Sequence, residues 1–440
     1  SVEMWSLVQM CVIGMVVTLA APPPWGRPQW RTSKPRWRRH PRYFITMDPL
    51  KFKPIEPPIP GINEFALKLL SEVQNSRASK NSVMSPFSLQ VALSILYAGA
   101  GGSTQIEMKN TLGITVSTEH YLGAFKSYLG TLGSEVHVAS TIFIKEGLKV
   151  LTNFQDIVRK NFGVTLPQLD FTDKKRSVKA INGWCSDKTK GLIKEIVKED
   201  DIDEDLISIV VNAIHLKATW SSPFSEEQTT SKTFTTVDDS GHTSEVKVQM
   251  MHEDRFFTSY NDYHPALDAK ILVLPLKRGG YDESMLQMVM ILPNQVGGIQ
   301  TMLNKLKDID LRKVMRTLSS ESVKVSIPKF KQETTLELDK VLQKMGLRIP
   351  FSDNANFTKM VPSGLKIDKV IQKAVITVSE KGLEAAAATA IEGFAPKRAV
   401  IRLPSLYEFN ANHPFVYFIT KKFNTAPLFE GVVMKPEFNE

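Results

Sequence analysis

The chain has 440 residues, 42% hydrophobic and 23% charged, a balance that suits a globular protein with a large core in one or two domains. The formal net charge is +9, but Arg27, Arg31, Lys34, Arg36, Arg38, Arg39 and Arg42 sit together and account for most of it, so charge is no argument for nucleic-acid binding by the body. Two cysteines, Cys11 and Cys185, exclude a disulfide framework once an N-terminal signal is removed.

Residues 7–21 form an apolar run that ends in small residues. It is shorter than the ~20 residues that span a bilayer and has the build of a secretory signal. Glu3 departs from that pattern, since a basic residue is expected there. Residues 1–21 are therefore expected to be a signal peptide, and the protein to be secreted and extracellular, with no membrane span. A start at Met47 would remove this run and the basic segment after it, leaving an intracellular protein.

Residues 22–60 are rich in Pro and Arg, with Trp25, Trp30 and Trp37 interleaved. Such a segment cannot bury a core and is expected to be a flexible extension. Arg31, Arg36, Arg38 and Arg39 make it a candidate polyanion-binding arm. A solvated tail is the competing reading, and charge runs are usually solvated.

From Gly61 the patterning runs on without a linker. Phe65–Leu70 opens a helix, and Val91–Ala98 is a helix apolar on most sides that ends at Gly99 and Gly101. Cys185 lies between Trp184 and Ser186 in a helical pattern and reads as a buried filler. Ile207–Leu216 is β-branched and reads as a central strand. Strands are expected at 287–292, 323–327, 374–378 and 432–433. Leu338, Val341, Leu342 and Met345 recur at helical spacing before Gly346. One α+β domain over 61–440 with large sheets is the expected architecture.

A search for catalytic chemistry returns nothing. There is no G-x-S-x-G, H-E-x-x-H, C-x-x-C or G-x-x-x-x-G-K-[ST]. Eight His are scattered without metal-ligand spacing. No cofactor, no metal site and no enzymatic activity are expected.

The segment Glu380-Lys381-Gly382-Leu383-Glu384-Ala385-Ala386-Ala387-Ala388-Thr389-Ala390-Ile391-Glu392 is ambiguous. Alanine favours helix. At strand period, however, Leu383, Ala385, Ala387, Thr389 and Ile391 share one uncharged face, and Glu384 and Glu392 fall on the other.

Several blocks resemble the serpin family. Asn81–Ser88 with Ala98–Thr104 is similar to its second and third helices. Val211–Trp220 with Pro223-Phe224 looks like the strand ending in its breach tryptophan. Ile327–Lys331, Met345–Leu347, Phe409–Phe415 and Pro427–Val433 match further blocks in order, covering about Gly61 to Pro436. The resemblance implies an α+β serpin fold with three β-sheets, eight or nine helices and an exposed reactive loop at about 380–404. It also implies a monomer that inhibits a serine protease: the protease cleaves the loop, an acyl-enzyme forms, and the hinge inserts into the main sheet.

By that resemblance Glu380, Gly382, Leu383, Glu384, Ala385, Ala386, Ala387, Ala388 and Thr389 form the hinge. Ser85, Ser88, Asn212, Trp220 and Gln372 form the shutter and breach. The family spacing from Glu380 puts the reactive bond at Lys397, Arg398 or Ala399, which implies a trypsin-like protease as covalent partner. Ten inserted residues would gain about ten ladder hydrogen bonds at ~1 kcal/mol net each, about 10 kcal/mol.

Two departures modify the expectation. Leu383 is larger than the Thr, Ser or Val of the family, which predicts a slow start to insertion. Gln372 replaces a histidine, and its amide has the donors and acceptor to bridge Asn212 and Ser85. The segment matching the heparin-binding helix of antithrombin-like members carries only His120 and Lys126, so heparin activation by that route is not expected. A non-inhibitory carrier or chaperone of the same family is the alternative.

Overall fold

The fold is organised around a helix with no polar face. In the computed structural model α2 (Pro86–Gly99) is buried at every residue but Ala98. The chain can start a helix there because the Ser85 side chain accepts the Ser88 N–H at 3.1 Å, and Pro86 fills a first-turn position whose N–H would have no partner. The helix thus begins five residues before the apolar run that announces it. The structure describes residues 59–133, 135–278, 281–383, 407–422 and 424–438. The expected signal, the arm through residue 58 and the reactive segment from Glu384 to residue 404 lie outside the described residues.

Nine α-helices occur among the described residues. Besides α2 they are α1 (Ile62–Asn75), α3 (Gly102–Thr111), α4 (Thr118–Thr131), α5 (Thr152–Phe162), α6 (Lys174–Lys188), α7 (Ile299–Leu306), α8 (Leu311–Met315) and α9 (Asp339–Lys344). Helix α5 shows the local logic. Phe154, Val158 and Phe162 recur every four residues and are its buried side chains, and Gly163 ends it in the left-handed region at φ 70°.

The strands form three runs. The first is β3 (Gln168–Leu169), β2 (Val136–Lys145), β4 (Ser208–Leu216), β12 (Lys369–Ser379) and β11 (Phe330–Glu337). The second is β8 (Ala269–Arg278), β9 (Tyr281–Pro293), β15 (Phe415–Lys421), β16 (Asn424–Val433) and β1 (Ser82–Met84). The third is β6 (Thr230–Val237), β7 (Thr243–His264), β10 (Ser319–Pro328) and β14 (Tyr407–Asn410). Three links join the runs into one hydrogen-bonded network. They are β7 with β8, β5 (Ala218–Trp220) with β8, and β13 (Gly382–Leu383) with both β5 and β12.

Strand β4 is buried at all nine residues, because both faces of the first run are covered. Val210 and Ile214 join the main core with α2, whereas Ile209, Val211 and Ala213 pack with Ile181 and Cys185 of α6. Burial pushes the Cys185 thiol up to about 12, so it is an inert filler. Both ends of the candidate site lie on this run.

Candidate functional site

The seam between β4 and β12 is the centre of the site. These strands pair directly and in parallel, from Lys369 opposite Ile209 to Val375 opposite His215. Above Val375 the two strands part. There β12 runs on to Ser379, turns, and returns as β13. Leu383 pairs with Val378 and with Ala218, and Gly382 with Ser379 and Thr219, all antiparallel. A two-residue strand is thus already seated in the upper end of the seam.

The turn is fastened on every side. Trp220 is fully buried; its indole N–H donates to the Ser379 carbonyl at 2.8 Å and its backbone N–H to Lys381 at 3.0 Å. Phe224 N–H donates to the Glu380 carbonyl at 2.9 Å, and the Phe224 ring lies edge-on to Trp220 and 4.3 Å beneath the Arg255 guanidinium. The Glu380 carboxylate accepts the Thr229 hydroxyl at 2.8 Å and meets the Lys329 ammonium at 3.1 Å. Burial alone would raise the Glu380 pKa. Hydrogen bonds from its own backbone, from Thr229 and from Lys329, with the lysine charge, outweigh burial and hold it below the usual carboxylate range.

A buried polar cluster lies lower on the seam, on the face toward α2. The Gln372 amide clasps the Ser85 backbone at two points: Oε1 accepts Ser85 N–H at 2.9 Å and Nε2 donates to Ser85 O at 2.9 Å. Nε2 also reaches across to Asn212 Oδ1 at 2.5 Å. Asn212 Oδ1 accepts the Ser88 hydroxyl at 2.7 Å, and Asn212 Nδ2 donates to Ser140 Oγ at 2.6 Å. Ser140 donates in turn to the Ser88 carbonyl at 3.1 Å. These five side chains are all buried and all bonded, as a polar group in a core must be.

The described candidate residues therefore fall into two groups. Glu380, Gly382, Leu383 and Trp220 meet at the top of the seam, and Ser85, Ser88, Asn212 and Gln372 meet across its middle. Three further residues, absent from the sequence-based set, complete them: Thr229 and Lys329 above, Ser140 below. Lys329 stood inside a recognisable block, but no local pattern pointed to Thr229 or Ser140. Leu383 is fully buried between Ala218 and Val378 and belongs to the main apolar core. Glu384–Thr389 and Lys397, Arg398 and Ala399 lie outside the described residues.

Comparison with known proteins places this geometry. The family model described as Serpin (serine protease inhibitor) matches residues 60–436. Alaserpin of Manduca sexta is 32% identical over 382 residues, 85% of this chain and 93% of that one. Antichymotrypsin-2 of Bombyx mori is 31% identical over 84% of this chain and 96% of its own length. The solved structure of Serpin48 from Tenebrio molitor superposes with a TM-score of 0.73 at 30% identity, over 86% of this chain and 97% of that one. The chain belongs to the serpin family and has its α+β fold. The family's partners are serine proteases, which its members inhibit.

Proposed function

We propose that this chain inhibits a trypsin-like serine protease as a single-use substrate. The observation that carries the reading is β13. A strand antiparallel to β12 and β5 has begun to fill the seam, and below it β4 and β12 stand in the parallel register that an intervening antiparallel strand requires. Continuing that register would set Glu384 opposite Thr377 and Lys217, Thr389 opposite Gln372 and Asn212, and Glu392 opposite Lys369 and Ile209. The polar loop residue would then arrive at the polar cluster, and each acid beside a lysine.

The chemistry follows. The protease serine oxygen attacks the carbonyl of the reactive residue, and the peptide bond breaks with its proton going to the departing amine. The upstream loop segment is left as an ester on the protease. Free of its downstream tether, it zips into the seam and carries the protease away before water can cleave the ester. Lys397 and Arg398 supply the basic side chain that a pocket with a buried carboxylate accepts. Secretion, a monomeric state and polyanion binding by the Arg31–Arg39 arm complete the proposal. The apolar run at 7–21 supports secretion, and the clustered arginines support polyanion binding.

Trypsin tests it. An SDS-stable adduct and a gain in heat stability on cleavage are expected, with a released C-terminal peptide that starts at Arg398 or Ala399. Clean cleavage without adduct or added stability would assign the chain to the carrier class instead. N-terminal sequencing of the natural protein tests secretion.

A further inference from the structure

Beside β11 lies a cavity of about 670 Å³ that shares no residue with the two groups of the seam. Its walls are the end of α1 with the turn that follows, the segment 195–201 between α6 and β4, the end of β11 where it runs into α9, and Lys373 of β12. Val73, Ile196, Leu336, Leu338 and Val341 give it an apolar lining. That volume and that lining suit one small organic molecule.

Side-chain amides hold both sides in place. Gln74 is fully buried, and its Nε2 donates to the carbonyls of Arg77, Ala78 and Lys80, each at 3.0 Å. On the other side Asn182 Oδ1 accepts the N–H groups of Ile196 at 2.9 Å and Val197 at 3.1 Å, and Lys373 Nζ donates to the Glu195 carbonyl at 2.8 Å. The walls are therefore preformed, and a ligand would not have to order them.

One charged group of the lining is left unanswered. Arg77 is half-buried, and its Nε is sealed from solvent with no hydrogen-bond partner among the described residues. The others are answered by protein or by water. Lys373 pairs with Glu333, Asp201 accepts the Lys198 N–H at 2.7 Å, and Glu195, Lys198 and Glu337 are exposed. A guanidinium presents its donors as a planar fork, which a carboxylate or a phosphate matches. Glu195, Asp201 and Glu337 around the cavity disfavour a doubly charged anion, so a single carboxylate fits better than a phosphate. The geometry points to a binding site for a small monocarboxylic acid with an apolar body, its carboxylate on Arg77 and its body among Ile196, Leu336 and Val341. The bound acid touches the turn after α1 and the segment 195–201 together, and so braces the connection between α6 and β4. This site stands apart from the inhibitory reading and does not depend on it.

Three matched probes test the site on the full chain by titration calorimetry: 4-phenylbutyrate, its neutral alcohol 4-phenylbutanol, and the amine 4-phenylbutylamine. The acid is expected to bind at one site, about tenfold tighter than either analogue, the factor for one charge-assisted hydrogen-bonded pair. Arg77→Gln should lose that preference. Thr335→Trp, at an exposed position of the cavity wall, should block all three probes. Thermal melts show whether the two variants fold. Hydrogen–deuterium exchange of the wild type should slow in peptides covering 74–80 and 195–201 when the acid is bound. The probe series and the exchange map use the wild type alone, so they decide the matter even for a variant that misfolds. Equal binding of acid and alcohol, no binding of the acid at millimolar concentration, protection that falls elsewhere, or unchanged affinity in either folded variant would overturn the inference.

Discussion

Glu430 is the least expected residue in the core. It lies on β16 between Phe418 of β15 and Met84 of β1, is fully buried, and neither carboxyl oxygen has a hydrogen-bond partner among the described residues. Burial, with no cation to oppose it, raises its pKa well above the ordinary carboxyl value of 4.5. The folded state therefore holds a proton that the unfolded state releases above pH 4.5, and stability falls as pH rises from there. Each pH unit over which the proton is held costs about 1.4 kcal/mol. The unpaired neutral acid costs a further ~1–3 kcal/mol. Glu430→Met removes both terms at similar volume. Urea unfolding of the two proteins should show a gain of about 1–3 kcal/mol near pH 4.5 that grows as the pH is raised toward 7. Glu430→Gln should lose the pH dependence while remaining less stable than Glu430→Met. A gain independent of pH, or a loss of stability in Glu430→Met, would refute the assignment of a buried, protonated, unpaired acid.

Three other substitutions probe the seam. Gly382→Ala forces a Cβ against the β5 backbone; it should unseat the hinge, destabilise by about 1–3 kcal/mol and remove exchange protection at Leu383, and an unchanged urea midpoint would contradict the close approach. Gln372→Leu strands the Ser85 N–H and weakens the hold on Asn212; a loss of about 2–4 kcal/mol is expected by urea unfolding, and near-neutrality would mean that the cluster repacks. Glu380 has a lowered pKa, so its contribution is present at neutral pH and lost as pH falls below the unfolded carboxyl range. Lys329→Met should flatten that acid limb in a pH series of thermal melts, and an unaltered limb would show that Lys329 does not hold the carboxylate.

What the sequence disclosed followed the range of the forces involved. The β-branched run at β4 was legible because a strand covered on both faces must be apolar throughout. Gln372 was legible as a bridge because an amide carries both donors and an acceptor, and its partners Ser85 and Asn212 stood in recognisable blocks. Ser140 and Thr229 were not legible. Each is a lone hydroxyl whose role comes from a residue 72 or 151 positions away, and periodicity carries no trace of such a contact. The surroundings of Leu383 were not legible for a different reason: its apolar seat is made by Ala218 and Val378, and Ala218 lies far away in the sequence.

Opening the seam and filling it are governed by different residues. Filling replaces one parallel ladder by two antiparallel ones, so the product gains hydrogen bonds whatever held the seam shut. The hold comes from groups that cross it. Gln372 bonds Asn212 on one face. On the other, Lys373 Nζ donates to the Glu195 carbonyl at 2.8 Å and Lys369 Nζ to the Asp201 carbonyl at 2.8 Å, both in the segment that joins α6 to β4. Lys373 also pairs with Glu333 of β11, which lies on its own side of the seam. Breaking the two lysine contacts therefore costs the closed sheet, while the β11–β12 pair is untouched by opening. Lys369→Ala with Lys373→Ala should speed opening by about thirtyfold, at roughly 1 kcal/mol for each of the two lost contacts, and leave the heat stability of the cleaved product within a few degrees of wild type. The rate at which a synthetic peptide of sequence 383–392 anneals to the uncleaved chain measures the first, and calorimetry of the trypsin-cleaved chain the second. An unchanged annealing rate would show that the lysines follow the segment as it moves, and the resistance to opening would then lie in the Gln372 cluster.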